Sequence, residues 1–470
     1  MNMDFFILMK SELILTVIIF ILLILKIGEG IRDNAVLMHI ANGLLLLNFI
    51  AGFFMNREGA LFSGMFVTND VLSLEKNILN FGTLLVSLQA FDWLKNHKHL
   101  LEFYLLLLST LLGMFFMISS QNFLMFYLGL ELSAIPLAAL VNFDLERPRS
   151  SEAAFKMIIS SAFASAISLF GISLLYGTTG TLDFAYMADY LHGSELQLFA
   201  FIMVFAGFAF KLSAVPFHLW TADVYEGAPA PITAYLSVIS KAAMVFVLIT
   251  VLGGLFRDLE GMWYNVLYLS IIVTIVVGNL FAIRQQNIKR FLAFSSITQV
   301  GYILLGLSAG NETGFSSAIY FLIVYLFSNL AAFGVVTLVS AATGKEGIDD
   351  YKGFYSTNPM LALVMALALF SLAGIPPTAG FFGKMFLVTA GAGKGNYLLI
   401  AIAALNMVVS LYYYLRVVKA MFVDKSESPI AKLEGSLMSG LSLAICMAGI
   451  IVTGFVSGLF EYIVSLFIKV

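Results

Sequence analysis

The sequence predicts an all-α, polytopic membrane protein of about 14 transmembrane helices. Of its 470 residues, 60% are hydrophobic and only 11% are charged, and the mean hydropathy is +0.97. Soluble domains are nearer 45–50% apolar and about 25% charged. A chain this apolar has too little polar surface to cover a water-soluble globule, so lipid is the predicted solvent for most of it.

Long apolar segments follow one another along the chain. A bilayer core of about 30 Å requires about 20 apolar residues per helix. Fourteen segments fit: 13–27, 36–54, 71–94, 101–119, 122–142, 153–177, 196–215, 231–253, 263–283, 291–309, 315–340, 359–391, 397–420 and 436–467. The first lacks a small-residue cleavage site and is interpreted as a span and not as a signal peptide. GIPPTAG (374–380) interrupts the twelfth.

The basic residues predict the orientation. Fifteen of the 25 lie in loops after odd-numbered spans: Lys26, Arg32, Lys95, Lys98, Arg147, Arg149, Arg284, Lys289, Arg290, Lys345, Lys352, Arg416, Lys419, Lys425 and Lys432. Five lie at the termini or in even loops: Lys10, Arg57, Arg257, Lys394 and Lys469. By the positive-inside rule the odd loops face the cytoplasm and both termini face the opposite side.

The other five basic residues fall within spans: Lys76, Lys156, Lys211, Lys241 and Lys384. An ammonium at membrane depth costs at least about 2.5–3.5 kcal/mol, so it persists where it faces a bundle interior, a partner or water. Lys156 and Lys76 lie near span ends, where snorkelling to the interface is expected. The other three are too deep for this explanation and are candidate functional residues.

One carboxylate is predicted to match these lysines: Glu131, ten residues into the fifth span. A carboxylate and a lysine brought together stabilise each other's charged forms, and both favour neutrality when separated in apolar surroundings. A pair that approaches and parts therefore loads and unloads a proton. A static ion pair is the alternative, although buried pairs rarely add net stability. The hydroxyls of Ser213, Ser237 and Ser240 can hold water or bond within their helices.

Several kinds of chemistry have no signature in the sequence. There is no Walker loop and no GxGxxG between a strand and a helix, and the net charge of −3 comes without a basic run for nucleic acid. The single Cys446 excludes a cysteine-ligated iron–sulfur cluster or zinc site. His97 and His99 fit a solvated loop, whereas His218 is either a proton relay or a loop histidine. We therefore predict an ion or proton conductor that holds no metal and no redox centre.

Two short alignments suggest an internal repeat. FKLSAVP (210–216) aligns with FSLAGIP (370–376), and FLMFYLGLELSAI (123–135) aligns with FLAFSSITQVGYI (291–303). Helices 4–8 and 9–13 are thus predicted to be two inverted five-helix repeats, each with one discontinuous helix broken at Pro216 or at Pro376 and Pro377. The predicted divisions are 1–100, an N-terminal three-helix segment; 101–253 and 263–420, the two repeats; and 421–470, the last helix.

The segment KLSAVPFHLWTADVYEGAPAPITAYLSVISKAA (211–243) resembles the signature of the antiporter-like membrane subunits of respiratory complex I, the proton-pumping NADH:quinone oxidoreductase. NIKRFLAFSSITQVGYILLGL (287–307) and GIPPTAGFFGKMFLV (374–388) resemble the same family, most closely its branch related to mitochondrial subunit 2. The similarity covers about residues 100–420.

The resemblance implies roles for particular residues. The family's proton-handling glutamate and three lysines match Glu131, Lys211, Lys241 and Lys384. The position that is often histidine in helix 10 is Gln299 here, which cannot take up a proton. His218, Gln299 and Ser240 are therefore candidate relays only.

The resemblance also implies a setting. This is the bacterial inner membrane, with FMN, iron–sulfur clusters and quinone in partner subunits, and with neighbouring antiporter-like and small membrane-arm subunits as contacts. Protons would pass from Lys211 through Lys241 toward Lys384. The alternatives are a subunit of a multi-chain sodium/proton antiporter, whose larger chains share this fold, and a scaffold whose buried charges only fix helix packing.

Overall fold

The structure, a computed structural model, describes residues 3–28, 33–456 and 458–468, and these are mostly helical. Arg32 and Lys469, used above for the orientation, lie outside the described residues. The helices are α1 (Met3–Leu8), α2 (Lys10–Ile27), α3 (Asn34–Ala51), α4 (Asp70–Gln89), α5 (Phe91–Leu94), α6 (Leu100–Ile118), α7 (Phe123–Val141), α8 (Pro148–Thr179), α9 (Phe184–Ala188), α10 (Glu195–Leu212), α11 (Leu219–Gly227), α12 (Ala230–Tyr235), α13 (Lys241–Thr250), α14 (Glu260–Arg284), α15 (Ile288–Leu307), α16 (Glu312–Thr343), α17 (Phe354–Thr357), α18 (Pro359–Ala373), α19 (Ala379–Ala392), α20 (Tyr397–Phe422), α21 (Leu437–Phe455) and α22 (Gly458–Ile468).

Shorter elements complete the described chain. Two antiparallel strands, β1 (Gly59–Leu61) and β2 (Phe66–Thr68), form a hairpin. Short 3₁₀ and π-helical turns lie between these elements: Phe62–Gly64, Leu236–Ser240, Val251–Leu255, Arg257–Leu259 and Ile348–Tyr351. In the described residues, eleven helical segments are long and apolar enough to cross a membrane. The predicted all-α polytopic fold is thus confirmed, whereas the count of fourteen spans and the inverted repeats stay predictions.

Two compact units make up the chain. The first comprises Met1–Ser87, Leu94–Lys211 and Ile239–Trp263, and the second comprises the remaining residues from Leu88 onward. In the first unit α6 packs along α7, and α7 packs against α8. In the second unit α16 packs against α18, α19 and α21. The four divisions expected from the sequence stay predictions.

Burial differs strongly between helices. In the second unit, α15 and α16 are buried along most of their length. In the first unit, α8 instead exposes Phe155, Phe163 and Phe170, each more than half accessible. Large exposed apolar side chains cost little where lipid is the solvent, so this face of α8 is suited to contact with the bilayer or with another apolar surface.

A helix is interrupted at both predicted breaks, the one at Pro216 and the one at Pro376 and Pro377. The helix α10 ends at Leu212, three residues before the predicted boundary, because Ser213 has a φ of 64° and leaves the helical conformation. The predicted twelfth span, 359–391, is in fact two helices: α18 ends at Ala373 and is capped by Gly374, whose φ is 84°, and α19 begins at Ala379. Glycine adopts this left-handed conformation without strain and commonly ends helices.

Candidate functional site

Glu131 and Lys211 belong to the first unit. Glu131 lies on α7, is half-buried, and accepts a hydrogen bond from Ser165 Oγ of α8 at 2.7 Å. Lys211 lies in the last turn of α10 and is 9% exposed. The two charges interact electrostatically, but between these two described residues no ion pair is formed. The Glu131 carboxylate is therefore bound by the Ser165 hydroxyl and not by Lys211. This is the separated arrangement of a Glu131–Lys211 pair that can approach and part.

Lys241 is the first residue of α13 and is 2% exposed. The π-helical turn Leu236–Ser240 directly precedes it. Such turns occur as local irregularities in α-helices, frequently at functional sites. Ser240, the candidate relay beside it, is half-buried. The lysine is thus buried at a point where the helix is irregular.

Lys384 lies on α19 in the second unit and points at the broken end of α18. Its Nζ donates hydrogen bonds to the carbonyl oxygens of Leu372, at 2.7 Å, and Ala373, at 3.2 Å. The same Nζ lies 5.0 Å from the centre of the Tyr302 ring. The last carbonyls of a helix lack intrahelical partners and carry partial negative charge, so they stabilise a buried ammonium.

Gln299 is linked to the same carbonyl group. Its Nε2 donates to Leu372 O at 3.0 Å and to Tyr414 Oη at 3.0 Å. Tyr414 Oη is in turn 2.5 Å from Ser295 Oγ. A polar chain therefore runs from Lys384 through the Leu372 carbonyl and Gln299 to Tyr414. Tyr414 was not predicted from the sequence, because a tyrosine in an apolar helix is indistinguishable there from a packing residue.

Ser371 holds the two halves of the second broken helix together. Its Oγ accepts a hydrogen bond from Ser328 Oγ at 2.7 Å and another from the backbone N–H of Gly380 at 3.2 Å. In the predicted repeat, Ser371 occupies the position of Lys211. At the second break, neutral hydrogen bonds of Ser371 therefore stand where the first repeat has Lys211. The ammonium near this break is that of Lys384, on α19.

The first break, 213–218, contains His218. This side chain is 7% exposed, and no described residue bonds its Nδ1. In the same segment the backbone N–H of Val215 donates to Thr274 Oγ1 at 3.0 Å. His218 is thus a buried histidine with an available ring nitrogen, which keeps it among the candidate relays.

The DVYEGAP motif (223–229) provides ion pairs at the start of α15. Arg290 Nη1 lies 2.7 Å from Asp223 Oδ1 and 2.9 Å from Glu226 Oε2. The neighbouring Lys289 is 3% exposed, pairs with Glu346 at 2.8 Å and donates to Ala228 O at 3.1 Å. These contacts fix α11 against α15, so the motif's charged residues have a clear structural role.

The structure corrects two expectations about buried charges. Lys76 does not snorkel: it is 3% exposed, and its Nζ lies 2.6 Å from Glu12 Oε1. Glu12 and Glu75 are each 1% exposed, so carboxylates other than Glu131 are buried, and more deeply. Lys156, by contrast, is 40% exposed and pairs with Glu152 at 2.8 Å, as expected near a helix end.

A polytopic α-helical membrane protein with helix breaks and buried lysines beside them is, as a class, a transporter-like protein. The chain belongs to the family described as "NADH:quinone oxidoreductase/Mrp antiporter, TM", whose model matches residues 120–410.

Named relatives place the chain within this family. It is 47% identical over 458 residues to NADH-quinone oxidoreductase subunit N of Phocaeicola vulgatus, covering 96% of this chain and 97% of the relative. It is 52% identical over 410 residues to the protein of the same name from Azobacteroides pseudotrichonymphae, covering 86% and 85%. A chain of respiratory complex I from Thermus thermophilus has the same fold, with a TM-score of 0.82, 27% identity, and coverage of 95% of this chain and 97% of that chain. The resemblance seen in the sequence motifs is confirmed.

Proposed function

We propose that the chain is a proton-translocating, antiporter-like subunit in the membrane arm of a complex I, coupled to quinone reduction elsewhere in the assembly. The observation that carries this proposal is the burial of three lysines, at most 9% exposed, in a chain whose relatives are subunits N. Lys211 and Lys384 each adjoin a helix break, and Lys241 adjoins a π-helical turn.

The proposed step begins at Glu131. When Glu131 approaches Lys211, the carboxylate stabilises the protonated lysine, and when it withdraws to Ser165 the lysine is left to pass its proton on. Lys241 receives the proton next and Lys384 follows, with Gln299, Ser240 and His218 as relays that act through water. Because glutamine does not titrate, Gln299 can only orient water or the Leu372 carbonyl.

The setting of the subunit is part of the proposal. The chain lies in a bacterial inner membrane with both termini on the periplasmic side, and protons leave to that side. FMN, iron–sulfur clusters and quinone belong to partner subunits, and neighbouring antiporter-like and small membrane-arm subunits cover its lateral faces. A multi-chain sodium/proton antiporter is the second candidate, because its chains share the family. Copurification of flavin and iron–sulfur subunits supports the first, and their absence supports the second.

Two substitutions test the proton-transfer role against a purely structural one. Glu131→Gln and Lys211→Met remove charge with little change in volume. We expect assembled complexes of both variants to lose most proton translocation, measured as dye-reported acidification of inverted membrane vesicles. Glu152→Gln, which removes an exposed carboxylate, is the matched control and should pump normally. Full turnover and pumping in assembled Glu131→Gln and Lys211→Met would show that the buried charges only fix packing.

A further inference from the structure

A second set of buried polar groups lies on helices α2, α3 and α4, outside the residues proposed above. Its charged end consists of Glu12 on α2 and of Glu75 and Lys76 on α4. All three are at least 97% buried. Lys76 Nζ pairs with Glu12 Oε1 at 2.6 Å and lies 5.0 Å from the centre of the Phe66 ring. Glu75, the residue before Lys76, interacts electrostatically with the same ammonium, so two carboxylates and one ammonium share a buried site.

The charge balance of this site is one proton short of neutral. With both carboxylates ionised, the three buried groups carry a net charge of −1. Lys10 lies within electrostatic range of Lys76, but its ammonium bonds oxygens outside the site: Ala51 O at 3.3 Å, Asn56 Oδ1 at 2.5 Å and Phe54 O. An uncompensated charge in apolar surroundings is costly, and one proton bound between the two carboxylates would make these three groups neutral.

Unpartnered oxygen atoms point to the same conclusion. Within the described part of the chain, no group hydrogen-bonds Glu12 Oε2 or Glu75 Oε2, although both atoms are fully buried. Buried polar atoms without a protein partner are the ones that an exchangeable proton or ordered water satisfies. The site is thus able to accept a ligand with the chemistry of a proton or of hydronium.

A stripe of polar side chains leads away from this site along α4. Lys76, Asn80, Thr83 and Ser87 recur at helical spacing on one face, and all are buried. At about 1.5 Å per residue, the eleven steps from Lys76 to Ser87 span roughly 16 Å, more than half of a bilayer core of about 30 Å. A face of this kind is costly in a lipid-exposed helix and is accommodated where polar partners face it.

The neighbouring helices of the same unit provide those partners. Asn48 Nδ2 on α3 donates to Asn80 Oδ1 at 3.3 Å, and Asn80 Nδ2 donates to Leu45 O at 3.1 Å. Ser87 Oγ donates to Asn42 Oδ1 at 2.5 Å and lies 3.0 Å from Tyr104 Oη of α6. Within the described residues, Asn42 Nδ2 and Asn48 Oδ1 remain without a partner and mark the points where water can join the bonded pairs.

We propose that this stripe is a second proton pathway, separate from the lysine series, and that the Glu12–Glu75–Lys76 site is its proton-binding end. The site lies at the Lys10 end of α2, next to the β1–β2 hairpin, on the side where the termini are predicted. The pathway's contribution to pumping rests on the function proposed above, whereas proton binding at its end does not.

Infrared difference spectroscopy of the full-length chain in lipid tests proton binding directly. A pH step should produce a carboxylic-acid C=O band that is lost in Glu12→Gln and in Glu75→Gln. Each substitution leaves one carboxylate and one lysine, a neutral pair, so neither creates an uncompensated buried charge. The matched control is Glu102→Gln, which removes the carboxylate of the exposed Lys26–Glu102 pair between α2 and α6 and should retain the band. Absence of the band in the wild type, or its persistence in both variants, would overturn the proposal.

Exchange kinetics test the pathway. In Asn80→Leu the band should remain, but its shift in heavy water should develop about tenfold more slowly, because a buried polar link is removed. Exchange as fast as in the wild type would show that the stripe conducts no protons. In the assembled complex, Asn80→Leu should lower the proton yield per electron. Normal pumping in Lys241→Ala would refute proton transfer through the buried lysines. The infrared measurement tests proton binding by Glu12 and Glu75 independently of that result.

Discussion

Lys384→Met separates a proton-carrying role from a structural one. Without the ammonium, the Ala373 carbonyl loses its 3.2 Å donor, which costs about 1–3 kcal/mol. The Leu372 carbonyl loses the 2.7 Å bond but keeps the donor from Gln299. The substitution also removes a buried ammonium, whose burial costs about 2.5–3.5 kcal/mol at membrane depth. The terms nearly cancel, so the free energy of unfolding should change by less than about 2 kcal/mol.

Proton transfer should respond very differently, because methionine has no titratable nitrogen. We expect assembled Lys384→Met complexes to reduce quinone but to lose most proton translocation, measured by the rate of quinone reduction and by vesicle acidification. Thermal unfolding in lipid measures the change in stability. Lys394→Met, the same substitution at an exposed loop position ten residues later, is the control and should behave as the wild type. Wild-type pumping in Lys384→Met would refute a proton-carrying role for Lys384. A structural role would be shown if Lys384→Met failed to assemble while Lys384→Arg assembled with full activity.

Two further predictions concern the broken helix and the glutamate. Gly380→Ala should destabilise the protein by more than about 2 kcal/mol in thermal unfolding, because a Cβ there would lie 1.7 Å from the Ser371 carbonyl oxygen. Gly440→Ala, where a Cβ meets nothing within 4 Å, should have little effect, and equal stability of the two variants would contradict the close packing of α18 and α19. Ser165→Ala removes the 2.7 Å donor to Glu131 and should change the pumping rate severalfold while sparing assembly. An unchanged rate would mean that Ser165 does not hold the withdrawn state of Glu131.

The sequence predicted the features that depend on composition and local chemistry. Apolar length located a helix in every predicted segment, since hydropathy and span length are local properties. Proline and glycine located both breaks within a few residues, although the end of α10 depends on the backbone conformation of Ser213. The burial of Lys211, Lys241 and Lys384 followed from the cost of an ammonium among apolar neighbours.

Features that depend on contacts between distant residues were not predictable in this way. Lys76 was expected to snorkel because it lies near a span end, and its actual partner, Glu12, is 64 positions away in the sequence. The link from Gln299 to Tyr414 likewise joins residues 115 positions apart. Tertiary packing determines which polar groups meet, and one sequence contains little information about it.

The central claim, that protons cross this chain by way of its buried lysines, is tested most directly by Lys241→Ala. This lysine lies beside a π-helical turn and is 2% exposed. The measurement is the number of protons translocated per electron by the assembled complex in sealed vesicles, with assembly verified on the same preparation. We predict that Lys241→Ala assembles normally and that its proton yield per electron falls below the wild-type value. Only translocation along routes that do not include Lys241 should remain. A wild-type proton yield in assembled Lys241→Ala would contradict the central claim.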